Sequence, residues 1–130
     1  MIFMKQTEST EMYLENILVL SQKTGSVRAI DIARYSGYSK PSVSRAMGIL
    51  REAGFIRIDT FGIITLTETG YSVASKILER HRVLTEMLKS FGISDETAAE
   101  DACRIEHVIS DETFGCIKNS FPENGKKIRS

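Results

Sequence analysis

Apolar residues recur every three or four positions through most of the chain, which is the spacing of one buried helix face. Gly37 and Pro41 mark a tight turn and the first turn of a new helix, because glycine suits a left-handed turn and proline is tolerated at a helix start. Two short helices joined by such a turn predict a helix-turn-helix. The predicted helices here are residues 8–23, Ala29–Ser36 and a third that starts at Ser39 and stops at Ala53-Gly54.

The pattern changes over residues 55–66, where β-branched and aromatic residues predominate and a polar break falls at Asp59–Gly62. This composition predicts a β-hairpin, or wing, after the third helix. Helical spacing then returns, with Thr67 or Thr69 able to cap the next helix. That helix is predicted to end at Gly92, followed by a helix that begins at Asp95 after a Ser94 cap and by a short last helix after Ser110.

These elements predict a mainly α protein with two domains, a size that 130 residues can accommodate. A winged helix-turn-helix domain is expected over residues 1–70 and an all-helical domain over 71–122, and residues 123–130 are expected to be a disordered polar tail. The sequence has no run of about 18 apolar residues, so no membrane span is predicted. The first residues lack the features of a signal peptide. A cytoplasmic location without a membrane partner is therefore expected, with Cys103 and Cys116 as free thiols.

Charge is unevenly distributed although the formal net charge is +0. Residues 34–57 contain five basic residues and one acid, whereas residues 95–112 contain seven acids and one base. A basic segment can contact phosphates and an acidic segment can attract cations. The two halves of the chain are thus predicted to have different partners.

The start of the third helix combines hydroxyl and basic side chains. Hydroxyls and the backbone amides at a helix N-terminus can bind phosphates, and Lys40 and Arg45 can reach phosphates or base edges. A plain helical core packed under a hairpin would explain the same pattern without DNA. The residues predicted to contact double-stranded DNA are Ser39, Lys40, Pro41, Ser42, Ser44, Arg45 and, on the wing, Arg57.

Cys103, Glu106 and His107 are spaced i, i+3 and i+4, which brings them onto one face if this segment is helical. All three are ligand types for transition metals. A lone cysteine is more often a small buried apolar residue, and a lone histidine is more often a structural group. The triplet is a stronger indication than its parts, and further ligands could come from Glu11, Met12, Glu15 or His81.

Several segments resemble the diphtheria toxin repressor family, whose members are iron- and manganese-dependent transcriptional repressors. The resemblance covers about residues 8–120 in the same order and matches the shorter, two-domain type of the family. It implies a winged-helix domain, a helical metal-binding and dimerisation domain, and a homodimer that binds palindromic operators when Fe(II) or Mn(II) is bound. The segments are residues 10–14, 39–44, 80–82 and, most specifically, Ala102-Cys103-Arg104-Ile105-Glu106-His107-Val108-Ile109-Ser110-Asp111-Glu112.

The resemblance also implies a ligand set for the regulatory metal, namely Met12, Cys103, Glu106 and His107. The ancillary site of iron-type members looks incomplete, because Thr85 and Ala99 occupy two of its positions. Manganese-type members instead place a glutamate where this chain has Glu15, so Glu15 and His81 are possible ligands of a second ion.

Donor softness favours Fe(II) as the physiological ion. The Met12 thioether and the Cys103 thiolate are softer than the acids that manganese sensors of the family carry at these two positions, so we expect Fe(II), with Mn(II) as the alternative. Zn(II), Co(II) or Ni(II) are expected to bind in vitro.

Two other functions fit parts of the sequence. A winged-helix regulator that metal does not control would use Cys103 and His107 as core residues. A small metalloenzyme would use open coordination positions to activate water. The second is disfavoured because no separate general base, phosphate loop or pocket for a small organic substrate can be identified in the sequence.

Overall fold

A computed structural model of the chain describes residues 2–121, and side chains from residue 9 onward. The chain divides into two compact units between Ser75 and Lys76, within the fourth helix. The predicted tail over 123–130 lies outside the described residues. The elements are α1 (Ile2–Thr24), α2 (Ala29–Ser36), α3 (Lys40–Glu52), β1 (Ile56–Ile58), β2 (Ile64–Leu66), α4 (Glu68–Ser90), α5 (Asp95–Ile105) and α6 (Asp111–Ser120).

The three helices of the first unit contact one another through the predicted apolar face of each. Leu14 and Ile17 on α1, Ile32 on α2 and Val43 on α3 have no solvent exposure. The predicted start of α1 at residue 8 was wrong, because the helix begins at Ile2. Residues 2–7 contain neither proline nor glycine, so nothing in them terminates a helix, and the acids at positions 8, 11 and 15 do not mark its first turn.

The turn between α2 and α3 forms as the sequence predicts. Gly37 adopts φ 80°, a left-handed conformation, and its N–H donates to the Ala33 carbonyl. Ser39 caps α3, its Oγ accepting a hydrogen bond from the Ser42 N–H at 3.3 Å. The helix-turn-helix prediction is thereby confirmed.

The wing is confirmed as an antiparallel pair with Ile56 opposite Leu66 and Ile58 opposite Ile64. Asp59 shapes its tip, because its Oδ1 accepts hydrogen bonds from the N–H groups of Phe61 at 2.8 Å and Ile63 at 2.9 Å. Such an Asx arrangement stabilises a turn locally.

Thr67, and not Thr69, caps α4. Its hydroxyl accepts from the Gly70 N–H at 3.1 Å and donates to the Gly54 carbonyl at 2.7 Å. Gly70 therefore lies against the chain that leads into the wing. A Cβ added at Gly70 would come within 2.9 Å of the Phe55 carbonyl carbon and still closer to its oxygen.

The second unit packs α4, α5 and α6 around small and branched apolar residues. Val83 and Leu84 of α4 and Ala98 and Ala102 of α5 have no solvent exposure. The predicted caps are confirmed, because the hydroxyl oxygens of Ser94 and Ser110 accept hydrogen bonds from backbone N–H groups three residues later. None of the helices in the described part of the chain has the length and apolar character needed to cross a bilayer.

Gly70→Ala should destabilise the protein by about 1–3 kcal/mol, because the new methyl group meets backbone atoms that cannot rotate away. Gly48→Ala on α3 is the matched control, since its Cβ would have no atom within 4 Å. That control should stabilise the protein by about 0.5–1 kcal/mol through helix propensity. Urea unfolding followed by circular dichroism measures both, and equal effects of the two substitutions would contradict the packing described here.

Candidate metal centre and helix-turn-helix surface

The three predicted metal ligands of the second unit come together at the end of α5. One ligand atom from each of Cys103, Glu106 and His107 lies within 4.8 Å of the other two. The prediction that one helix carries all three was wrong in part, because α5 ends at Ile105. Glu106 is the C-cap, still with helical φ of −59° and ψ of −23°, and His107 lies in the turn that follows.

Arg80 on α4 binds the backbone where α5 ends. Its guanidinium donates to the carbonyl oxygens of Glu106 at 3.3 Å and Ile109 at 3.0 Å, which an α-helix would otherwise use internally. It also forms an ion pair with Asp111 and lies 5.2 Å from the centre of the Phe114 ring. Arg80 thus holds the backbone of the ligand segment, a role that the sequence analysis missed because nothing local indicates a partner 26 residues away.

Glu106 is the centre of the cluster. Its side chain has 0% exposure, and its two carboxylate oxygens face two imidazole nitrogens. His81 Nδ1 lies 2.9 Å from Oε1, and His107 Nε2 lies 3.3 Å from Oε2. Burial of a carboxylate is unfavourable unless cations or hydrogen-bond donors compensate it. The surroundings of Glu106 therefore favour positive charge.

The donor set and its spacing fit a divalent transition metal. Two ligand atoms each about 2.1 Å from one ion in tetrahedral geometry lie about 3.4 Å apart, close to the 3.3 Å between His107 Nε2 and Glu106 Oε2. A thiol, a carboxylate and an imidazole are together suited to Fe, Co, Ni or Zn in the divalent state. The His81 contact resembles the hydrogen bonds that orient ligating carboxylates in metal sites.

Met12 and Glu15 belong to the first unit, on α1. Glu15 is 9% exposed. Met12 Sδ accepts a hydrogen bond from the Tyr38 hydroxyl at 3.5 Å. Burial, and to a lesser extent the neighbouring Tyr38, raises the pKa of the adjacent Tyr13 phenol. Whether Met12 and Glu15 join the Cys103 cluster stays a prediction.

The predicted DNA-contacting residues are all exposed to solvent in the first unit. On α3 the apolar residues Val43, Met47 and Leu50 are buried, so the hydroxyl and basic side chains between them point to solvent. The Ser39 hydroxyl already caps the helix and donates to Ser42 Oγ at 2.9 Å. The exposed residues are Ser39, Lys40, Pro41, Ser42, Ser44, Arg45 and Arg57.

A winged helix-turn-helix with an exposed basic helix, followed by a helical unit with clustered metal ligands, defines a class of protein: DNA-binding regulators that respond to metal. Comparison with known proteins agrees. Residues 5–60 match the iron dependent repressor N-terminal DNA binding domain, and residues 67–123 match the iron dependent repressor metal binding and dimerisation domain. The chain belongs to the iron-dependent repressor family.

Individual relatives support this assignment. The chain is 32% identical to an uncharacterised HTH-type transcriptional regulator of Methanocaldococcus jannaschii, over 86% of this chain and 91% of that protein. It is 31% identical to the transcriptional regulator MntR of Escherichia coli, over 88% and 74%. A solved manganese-dependent transcriptional repressor in complex with manganese has the same fold, with a TM-score of 0.79, 21% identity and 93% coverage of this chain. This chain spans 62% of the length of that structure.

Arg80→Met should lower the free energy of unfolding by about 1.5–3 kcal/mol, because it removes charge-assisted hydrogen bonds to two carbonyl groups. It should also weaken divalent-metal binding by about 10–100-fold through loss of ligand positioning. Arg82→Met, an exposed position on the same helix, should change the free energy of unfolding by no more than about 1 kcal/mol. Unfolding and Co(II) titrations test both, and similar results for the two variants would refute the role assigned to Arg80.

Proposed function

We propose that this protein is a transcriptional repressor of metal-homeostasis genes that binds a palindromic operator as a homodimer when it holds a divalent metal, in the first place Fe(II). The observation that carries the proposal is that Cys103 and His107 cluster with Glu106, whose carboxylate is fully buried. An operator-binding repressor acts where the genome is, so we expect it in the cytoplasm. The family is one of repressors, and no catalytic role is proposed.

The proposed ligands of the regulatory metal are Met12, Cys103, Glu106 and His107. The last three are supported by their spacing in the second unit, and Met12 by its thioether donor and the family resemblance. A bound divalent cation would supply the positive charge that the buried Glu106 carboxylate favours. Because Met12 lies on α1 of the first unit, its participation would make metal binding restrict the DNA-binding unit.

The choice of metal follows from the donors. Thiolate and thioether ligands raise the preference for Fe(II) over Mn(II), and the same donors favour Co(II), Ni(II) and Zn(II) in vitro. Mn(II) is the alternative activator, consistent with the solved manganese-dependent repressor that shares the fold. Glu15 and His81 are proposed ligands of a second ion. For His81 this role would compete with its contact to Glu106 Oε1 at 2.9 Å.

The proposed reading surface is the exposed side of α3 together with the wing. Lys40 and Arg57 would contact phosphates, whereas Arg45, further along α3, would contact base edges or phosphates. Metal then acts by a population shift, since it can favour the DNA-competent arrangement only to the extent that it binds that arrangement more tightly. A tenfold preference corresponds to about 1.4 kcal/mol.

Cys103→Ala should abolish most of the metal activation of DNA binding, lowering metal affinity at least about 10–100-fold, while the weak metal-free DNA affinity stays unchanged. The matched control is Cys116→Ala, because Cys116 is the other thiol of the chain and lies exposed on α6. The probe is a fluorescent duplex selected from a randomised library by the wild-type protein with Mn(II). Anisotropy is measured anaerobically with Fe(II), Mn(II) or chelator.

Equal losses for Cys103→Ala with and without metal would exclude the proposed switch. If the DNA affinity of the wild-type protein were the same with metal and with chelator, the result would favour the alternative, a winged-helix regulator that metal does not control.

A further inference from the structure

Tyr38 connects the Met12 sulfur to the turn in front of α3, entirely within the first unit. Its hydroxyl donates to Met12 Sδ at 3.5 Å. Its ring packs edge-on against Tyr13, with the ring centroids 5.8 Å apart and the planes at 64°. Tyr13 is 7% exposed, so a buried neighbour limits where the Tyr38 ring can lie.

The backbone around Tyr38 leads directly into α3, the helix proposed to contact DNA. Tyr38 follows Gly37, whose positive φ few other residues adopt, and its own N–H donates to Ser36 Oγ at 3.2 Å. Ser39, the next residue, caps α3. Because Ser39 directly follows Tyr38, a displacement of Tyr38 would move the residue that caps the first turn of α3.

A thioether sulfur has two lone pairs. One can accept the Tyr38 O–H while the other remains available to a cation, so the hydrogen bond orients the sulfur without blocking ligation. Methionine has three flexible side-chain torsions, and this contact restricts them. Any event that fixes the Met12 side chain would by the same contact fix the Tyr38 ring.

We infer that Tyr38 is a positioning residue that transmits the state of the Met12 thioether to the start of α3. The inference deepens the proposed function, because it rests on Met12 as a metal ligand. Tyr38 neither binds the metal nor has to touch DNA in this role. Its contribution is to the coupling between the two binding events, which is a reciprocal free energy.

Tyr38→Phe tests this, since it keeps the ring and removes only the hydroxyl. Tyr35→Phe is the matched control, because Tyr35 is likewise an exposed tyrosine of the first unit, on α2, with its ring near Lys23. The quantity measured is the ratio of affinities for the selected duplex with saturating Co(II) and with chelator. A hydrogen bond contributes about 1 kcal/mol, which is about five-fold, and only its strengthening in the metal-bound state enters the ratio. Tyr38→Phe should therefore lower the ratio about two- to five-fold, and Tyr35→Phe less than two-fold.

A second readout measures the same coupling through metal affinity. Co(II) binding, followed by absorption, is measured with and without the duplex. By reciprocity the tightening of Co(II) by DNA should fall by the same factor in Tyr38→Phe. An unchanged ratio would overturn the inference. If both affinities also fell equally, Tyr38 would serve only folding or DNA contact.

Met12→Leu separates failure of the inference from failure of the proposed ligand set. If Met12→Leu leaves Co(II) affinity unchanged, Met12 is not a ligand and both proposals fail at that residue. If it weakens Co(II) binding while Tyr38→Phe retains the wild-type ratio, only the role of Tyr38 is wrong. In the double variant we expect no loss of coupling beyond that of Met12→Leu, because the hydroxyl then has no sulfur to act on.

Discussion

The buried carboxylate of Glu106 is the constraint on which the second unit depends. A carboxylate with no exposure is stable only among cations or donors, and here two imidazoles face its oxygens from opposite parts of the chain, His81 on α4 and His107 beyond α5. Arg80 secures the backbone beside it. The positions of the proposed ligands Glu106 and His107 are thus linked to the compensation of one buried charge.

The same arrangement relates structure to regulation. A site built around a buried anion favours a divalent cation, and soft donors narrow the choice among cations. In the first unit the proposed ligand Met12 already contacts the turn before α3 through Tyr38. Metal binding and DNA binding would then be coupled within the first unit through the contact between Met12 and Tyr38.

Much of this was predictable from sequence. Apolar spacing predicted α2 and α3, and β-branched and aromatic composition predicted the wing. Serines placed just before acidic residues predicted the caps of α5 and α6. The start of α1 was predicted wrongly because the acids at positions 8, 11 and 15 suggested a first turn there. The end of α5 was predicted wrongly because tertiary contacts such as that of Arg80 with the Glu106 carbonyl have no local signal in the sequence. The pairing of Tyr38 with Met12 was also missed, since residues 26 positions apart on different elements leave no periodic pattern to detect.

The most direct test of the central claim is a pair of anaerobic DNA titrations at fixed free Fe(II), one with the wild-type protein and one with Glu106→Gln. The substitution keeps the size of the side chain and removes the charge. Our account predicts that free Fe(II) raises the DNA affinity of the wild type at least about ten-fold, equivalent to about 1.4 kcal/mol. The DNA affinity of Glu106→Gln should stay at its weak metal-free value. Equal DNA affinity of the wild type with Fe(II) and with chelator, or full activation of Glu106→Gln, would contradict it.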